Sequence, residues 1–209
     1  MTVITSKDNP SVKLYMKLSS SKKERRNLRL YVLEGFRLIE DAISEKAPVK
    51  QLFFTEDAYG KYVVLHGLQD PGNLGMIIRT ADAVGMDGVI LSESCELYSP
   101  KVIRSTMGSA FRMKIFESRD TDELFSCLEK NGIKSYAAVI DKDAEDLRTI
   151  RFDGGCAVFI GNEGNGLPAE ISSRCTVRAT IRMSGHINSL NAAMATGIFM
   201  WEMSGSSIH

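Results

Sequence analysis

The stretch AVFIGNEGNGLPAEI, residues 157–171, decides what kind of fold this chain can adopt. Its first four residues are apolar, and the run stops at Gly161, ahead of a loop with two more glycines and then Leu167-Pro168. A buried strand, a glycine-rich loop and a helix with proline in its first turn fit this order. The glycines do not form GxGxxG, and no Lys-Ser/Thr pair follows them. Neither the dinucleotide nor the P-loop fingerprint is therefore met.

A second loop of this kind lies at residues 184–189, directly ahead of the last apolar segment. That segment predicts a helix at 189–203, with Ser189 at the N-cap and apolar residues on one face at Leu190, Met194, Ile198 and Trp201. Two loops that each follow a strand and precede a helix predict a crevice at the carboxyl ends of a parallel sheet. Ordinary loops that need positive φ also contain such glycines, so the local pattern alone leaves both interpretations open.

Apolar strands alternate with amphipathic helices from residue 62 onward. The pattern predicts a mainly parallel sheet with helices on both faces, which is an α/β fold. A helix is expected in the next segment, where Leu74, Ile77, Ile78, Ala81 and Val84 share a face. Further helices are expected at 99–110 and 122–130, and strands at 62–65, 88–91, 113–116, 133–140 and 157–160. A polar loop is expected from 141 to 153.

Three separated segments carry a family resemblance: PGNLGMIIRTADAVG at 71–85, FIGNEGNGL at 159–167 and IRMSGHINSLNAA at 181–193. With these segments the chain resembles the SpoU (TrmH) family of RNA ribose 2'-O-methyltransferases, which belongs to the SPOUT class. The resemblance covers residues 62–203. It implies a C-terminal trefoil knot, which no periodicity argument would propose. It also implies transfer of a methyl group from S-adenosylmethionine to a ribose 2'-hydroxyl in tRNA or rRNA.

The resemblance also assigns roles to individual residues. Those that match the family's catalytic positions are Arg79, Asn73, Glu163, Ser189 and Asn191, and those that match its cofactor-binding positions are Ile160, Gly161, Asn162, Ile181, Met183 and Leu190. A guanidinium has a pKa above about 12, so Arg79 is expected to stabilise the developing alkoxide as a donor. Asn73 is expected to cap its helix, and Glu163 to position substrate or an arginine.

One residue departs from the family pattern, which usually has proline where Arg182 stands. Proline would fix φ and remove a backbone donor just before the cofactor loop, so Arg182 is expected to loosen that loop or to add a phosphate contact. This departure keeps a second function open: an RNA-binding or assembly protein that retains the methyltransferase fold without catalysis. The five matched catalytic positions favour the enzyme.

The N-terminal residues are strongly basic, with eight Lys or Arg and two Asp or Glu among residues 1–30. Residues 1–58 resemble a small α/β RNA-binding domain that precedes the catalytic domain, here 59–209, in many family members. The domain is expected to be shortened, with strands at 30–33 and 50–55 and a helix at 35–44. Four side chains are expected to bind RNA: Lys22, Lys23, Arg25 and Arg26.

Composition sets further expectations. The chain has 209 residues and a formal net charge of zero, so no global field attracts nucleic acid. Its four cysteines are widely spaced and form no CxxC motif, which favours reduced thiols and argues against a zinc site. No apolar run is long enough to span a bilayer, and we expect a cytoplasmic protein without metal. The resemblance implies a homodimer in which one subunit can supply residues to the other's site.

Overall fold

A computed structural model describes residues 6–33, 39, 42–51 and 60–205 of the chain. The chain divides into two compact units, Met1–Phe54 and Thr55–His209. In the described part of the chain, no helix is both long and apolar enough to cross a membrane.

The described part of the first unit contains two consecutive helices, α1 at Pro10–Ser20 and α2 at Lys22–Leu28. Asn9 Oδ1 accepts from the backbone N–H of Ser11 at 2.9 Å, and Ser21 Oγ accepts from that of Glu24 at 3.3 Å, so each helix has a side-chain cap. The strand predicted at 30–33 is wrong, because these residues form no regular structure after Arg29 ends α2 in a left-handed conformation. The predicted helix 35–44 and strand 50–55 lie largely outside the described residues.

Seven strands of the second unit form one sheet in which every pairing is parallel. The order across the sheet is β3-β2-β1-β6-β4-β7-β5. The strands are β1 Lys61–His66, β2 Gly88–Ser92, β3 Ile115–Ser118, β4 Lys134–Ala138, β5 Glu145–Asp146, β6 Cys156–Ile160 and β7 Val177–Thr180. The predicted parallel α/β sheet is confirmed. The knot that the family implies stays a prediction.

Helices cover both faces of this sheet, as the side-chain alternation along the strands requires. Val63 and Leu65 of β1 join one buried cluster, and Val64 between them joins the other. The first cluster includes residues of the helices α3 and α7, and the second includes residues of α5 and α6. The helices of this unit are α3 Pro71–Val84, α4 Pro100–Ser105, α5 Thr121–Lys130, α6 Ala169–Arg174 and α7 Ala192–Gly205.

Two predicted elements differ from the structure. The helix predicted at 99–110 ends at Ser105, because Met107 and Gly108 have φ of 49° and 90°, which interrupts the helical path before a short 3-10 turn at Ser109–Phe111. The loop predicted at 141–153 contains the two-residue strand β5 and a 3-10 turn at Leu147–Thr149. The strand β5 pairs with β7 at the edge of the sheet, a contact that local periodicity does not encode.

The last helix is apolar on every side, but the predicted face is not its buried face. Met194 and Trp201 are each 63% exposed, and Leu190 precedes the helix. The side chains that pack into the molecule belong to Ala193, Thr196, Phe199, Met200 and Met203. Periodicity could not select the buried face because apolar residues surround the whole helix.

Candidate active site

Glu163 holds the start of α3 against the loop that follows β6. Its carboxylate accepts from the backbone N–H groups of Gln69 at 3.1 Å and Asp70 at 2.9 Å. It also accepts from Asn73 Nδ2 at 3.0 Å. A carboxylate beside the N-terminus of a helix complements both the free amides and the helix dipole. Glu163 therefore binds the first motif to the second.

Asn73 extends this arrangement to the third motif. Its Oδ1 accepts from Asn191 Nδ2 at 3.1 Å, and its side chain is buried in the first turn of α3. Asn191 Oδ1 in turn accepts from the backbone N–H groups of Ala193 at 2.9 Å and Met194 at 3.2 Å. The residues Glu163, Asn73 and Asn191 thus form one hydrogen-bonded chain, which we call the motif junction.

Two capping predictions are wrong as a result. Asp70, not Asn73, caps α3, since Asp70 Oδ1 accepts from the N–H of Asn73 at 2.8 Å. Asn191, not Ser189, caps α7, which begins three residues later than predicted. Asp, Asn and Ser are all good capping residues, so the sequence offers several positions and the contacts between motifs select one.

The environment of Glu163 favours its ionised form. Desolvation raises the pKa of this carboxyl, but hydrogen bonds from Asn73 and from the amides of Asp70 and Gln69 outweigh that effect. Its pKa therefore lies below the ordinary value of 4.5. A carboxylate of this kind is a poor proton acceptor, and its position suits it to hold the junction.

A cavity of about 460 Å³ opens beside the junction, at the carboxyl ends of β4, β6 and β7. Its lining includes all six predicted cofactor-binding residues, Ile160, Gly161, Asn162, Ile181, Met183 and Leu190, together with Glu163 and Ser189. A volume of this order is typical of small-molecule sites, and open α/β sheets bind ligands at this edge. The structure thus brings the predicted cofactor residues together.

Two of these residues build the cavity wall through their loop. A Cβ at Gly161 would lie 2.1 Å from the carbonyl carbon of Gly166 and from the N of Leu167, so only glycine fits there. Asn162 Nδ2 donates to the carbonyl of Gly67 at 2.9 Å, and its Oδ1 accepts from the N–H groups of Gly164 and Asn165. The Asn162 side chain is therefore occupied in shaping the loop.

Arg79 lies apart from the cavity and the junction. It is exposed on α3, does not line the cavity, and makes no hydrogen bond or ion pair with any residue that the structure describes. Arg79 follows Asn73 by six positions, which places the two side chains on different sides of the helix. Within one chain, Glu163 contacts Asn73 and not Arg79.

Arg182, the residue that departs from the family pattern, connects two loops. Its guanidinium donates to the carbonyls of Lys142 at 2.9 Å and Ala144 at 3.0 Å, so it ties the two loops together instead of loosening one.

Several cavity residues were missed by the sequence reasoning. The loop after β4 contributes Val139, Ile140 and Asp141, and β7 contributes Arg178, whose guanidinium pairs with the Asp141 carboxylate. A hydrogen bond from the N–H of Asp143 and another from Arg178 hold the pKa of Asp141 below its ordinary value. The sequence signal that could have found them is the strand β4, because it lies next to β6 and ends at the same carboxyl edge of the sheet. All four cysteines are free, and the described residues contain no metal-binding cluster of His, Cys, Asp or Glu.

Three of the four predicted RNA-binding residues, Lys22, Lys23 and Arg26, are exposed on α2. Arg25 Nη1 instead donates to the carbonyls of Leu18 at 2.6 Å and Ser19 at 3.1 Å at the end of α1. Arg25 therefore stabilises the junction between the two helices.

The parallel sheet, the cavity at its carboxyl edge and the hydrogen-bonded motifs define an α/β protein with a small-molecule site. Residues 60–201 match the model of the SpoU rRNA Methylase family, and residues 9–73 match that of an MRM3-like substrate binding domain. Since the first match covers most of the chain, the protein belongs to the SpoU rRNA methylase family.

Individual relatives agree with this assignment. A Bacillus subtilis (strain 168) protein named 23S rRNA (guanosine(2553)-2'-O)-methyltransferase RlmP is 27% identical over 98% of this chain and 100% of its own length. A Staphylococcus aureus (strain COL) protein named as a TrmH family tRNA/rRNA methyltransferase is 34% identical over 68% of this chain, but the match spans only 57% of that relative. The crystal structure of an AdoMet-bound rRNA methyltransferase from Sinorhizobium meliloti has a TM-score of 0.68 and 28% identity, covering 99% of this chain and 98% of that one.

Proposed function

We propose that this protein transfers a methyl group from S-adenosylmethionine to a ribose 2'-hydroxyl in rRNA or tRNA. The observation that carries the proposal is the motif junction: Glu163, Asn73 and Asn191 join the three family motifs at a cavity lined by all six cofactor positions. The names of the relatives point to the same reaction.

The cavity suits S-adenosylmethionine in charge as well as size. The cofactor carries a sulfonium, an ammonium and a carboxylate group, and the lining includes the carboxylates of Glu163 and Asp141 and the guanidinium of Arg178. The side chains of Ile160, Ile181 and Leu190 supply apolar surface for the adenine. When bound, the cofactor supplies an electrophilic methyl group.

Arg79 stabilises the alkoxide that forms as the 2'-hydroxyl passes its proton to water. A guanidinium does not act as a base at neutral pH, but its five N–H donors can bind the alkoxide and a neighbouring phosphate together. Such a role needs a side chain that is free of internal partners, and Arg79 has none among the described residues. The Ser189 hydroxyl at the cavity is a second donor toward the ribose.

The protein acts as a homodimer, so that Arg79 of one subunit reaches the cavity of the other. Helices α3 and α7 pack side by side, and Thr80 lies next to Gly197 at their contact. Beside this contact, Met76, Met194 and Trp201 are 49%, 63% and 63% exposed. An apolar surface of this kind on two adjacent helices suits a second copy of the chain.

The first unit holds RNA for the catalytic domain. The domains run from 1 to 58 and from 59 to 209, and the first is a shortened substrate-binding domain in a cytoplasmic enzyme. The match of residues 9–73 to a substrate-binding family supports this role. The alignment with the B. subtilis relative is 251 residues long, which exceeds the 209 residues of this chain, so that relative contains residues that this chain lacks.

Calorimetric titration with S-adenosylmethionine and S-adenosylhomocysteine, with NADH as the control ligand, tests the cofactor. Binding of the first two alone is expected, followed by methylation of rRNA or tRNA transcripts and detection of 2'-O-methylated nucleosides by mass spectrometry. RNA binding without cofactor binding would instead identify a non-catalytic RNA-binding protein.

Replacing Lys22, Lys23 and Arg26 by glutamine is expected to flatten the salt dependence of RNA binding. An unchanged slope would exclude α2 as the RNA-binding helix.

A further inference from the structure

The segment from Tyr98 to Arg112 exposes large apolar side chains next to basic ones. The exposed fractions of Tyr98, Met107 and Phe111 are 73%, 71% and 83%. The segment also contains Lys101, Arg104 and Arg112 and no acidic residue. Aromatic and cationic side chains on one short segment are typical of surfaces that bind single-stranded nucleic acid.

The segment is held rigidly although its tip is exposed. Thr106 and Ser109 are buried, and the Thr106 hydroxyl donates to the carbonyl of Ile103 at 2.8 Å. Met107 and Gly108 both have positive φ, a conformation that methionine seldom adopts. Strained backbone of this kind persists only where the surroundings fix it, and it concentrates at functional sites. The exposed Met107 and Phe111 are therefore preorganised.

This segment lies along the face of α3 that contains Arg79. At one end of that face, a Cβ on Gly75 would lie 2.2 Å from Cβ of Ser105, so α4 packs directly on Gly75. At the other end, Asp82 accepts from Arg112 Nε at 3.0 Å and Nη2 at 2.6 Å. Arg79 follows Gly75 by four residues and precedes Asp82 by three, so helical spacing places it between these two contacts.

The segment also reaches the motif junction. Lys101 Nζ lies 3.8 Å from the carboxylate of Asp70, the residue that caps α3 and donates its N–H to Glu163. One continuous surface thus joins the start of α3, Arg79 and the exposed Phe111.

We propose that the Tyr98–Arg112 segment binds an unpaired stretch of the substrate RNA next to the methylated nucleotide. An unpaired base stacks on the Phe111 ring with Met107 beside it, and the phosphates on either side contact Arg104 and Lys101. The proposal rests on the proposed function in taking RNA as the substrate, and it assigns to this segment the selection of single-stranded over paired RNA.

The test compares Phe111→Ala with Phe111→Trp, Phe111→Leu and the matched control Phe116→Ala, which removes another exposed phenylalanine on β3. The probe is a short fluorescein-labelled RNA of random sequence, single-stranded or closed into a hairpin, and anisotropy gives its Kd. Phe111→Ala and Phe111→Leu are expected to raise the single-stranded Kd about tenfold, and Phe111→Trp and Phe116→Ala to leave it near the wild-type value.

Other outcomes overturn the proposal. A wild-type Kd for Phe111→Ala, or for Phe111→Leu, excludes base stacking. If Phe111→Ala dissociates a dimer in mass photometry while RNA affinity is unchanged, the surface belongs to a second copy of the chain. Equal loss for single-stranded and hairpin RNA shows that the segment does not select unpaired RNA.

The basic residues allow an independent check. Arg104→Gln is expected to reduce the slope of log K against log salt by about 0.7, which is the value for one phosphate contact on a single strand. The control Arg119→Gln is expected to leave this slope unchanged.

Cofactor titration and methyl transfer by the wild-type protein separate the proposed function from the role of this segment. Absence of both defeats the proposed function, whereas normal transfer by Phe111→Ala with a normal KM for RNA defeats only the role of this segment.

Discussion

The motif junction and the exposed arginine of α3 belong to the same family motifs but lie in opposite environments. The polar groups of Glu163, Asn73 and Asn191 form hydrogen bonds with one another and with backbone N–H groups at helix N-termini. Arg79 makes no such contact with the described residues. The contrast shows that a motif can contain two kinds of residue: those that hold the loops in place and those left free for substrate.

Removing Arg79 gives the sharpest test of this contrast. Arg79→Ala is expected to lower methyl transfer about 100- to 1000-fold, the usual effect of losing a donor to a developing oxyanion. Its melting temperature and its Kd for S-adenosylmethionine are expected to match the wild type, because the side chain has no partner within the described ranges. The matched control is Arg119→Ala, another exposed arginine. Equal loss of stability and transfer in Arg79→Ala would place Arg79 with the junction.

Substitution of Asn73 is expected to have the opposite signature. Asn73→Ala leaves Glu163 and Asn191 without their shared partner, and we expect a loss of about 1–3 kcal/mol in the free energy of unfolding. Asn73→Asp has nearly the same shape but places a second carboxylate beside Glu163, so it is expected to be less stable than Asn73→Ala at pH 7 and to recover at acidic pH. Urea unfolding at both pH values measures this. Two variants as stable as wild type would show that the junction does not stabilise the fold.

The pH dependence of stability tests the ionised state of Glu163. Because its pKa in the folded protein is depressed, its contribution is present above the unfolded value near 4.5 and is lost as pH falls through the lower folded value. The wild type is therefore expected to lose stability more steeply than Glu163→Gln below pH 4.5. Thermal melts across that range measure the difference, and parallel curves would contradict it.

Arg182→Ala is expected to have the smallest effect. The substitution removes two hydrogen bonds to the carbonyls of Lys142 and Ala144, which at this exposed position contribute about 1 kcal/mol together. We expect a slightly lower melting temperature and a Kd for S-adenosylmethionine raised a few-fold, since the bonded loops border the cavity. Calorimetry measures both. Tighter cofactor binding in Arg182→Ala would show that Arg182 loosens the loop after all.

Sequence periodicity predicted the strands and helices well where each of them buries a single apolar face. The strand at Cys156–Ile160 was located within one residue, and the apolar face predicted for the helix at Pro71–Val84 is its buried face. Predictions were less successful where a long-range contact selected among equivalent local choices. The caps of α3 and α7 and the buried face of α7 are of this kind.

The sequence by itself determined the parallel α/β class, the family and the six predicted residues that line the cavity. These follow from side-chain periodicity and from motif residues that keep their order along the chain. Only the tertiary structure decided which motif residues bind one another and which stay free. Residues 73, 163 and 191 are far apart in sequence, and their hydrogen bonds exist because the sheet brings three loops to one edge. Hydrogen bonds depend on distance and direction in space, which a linear pattern does not contain.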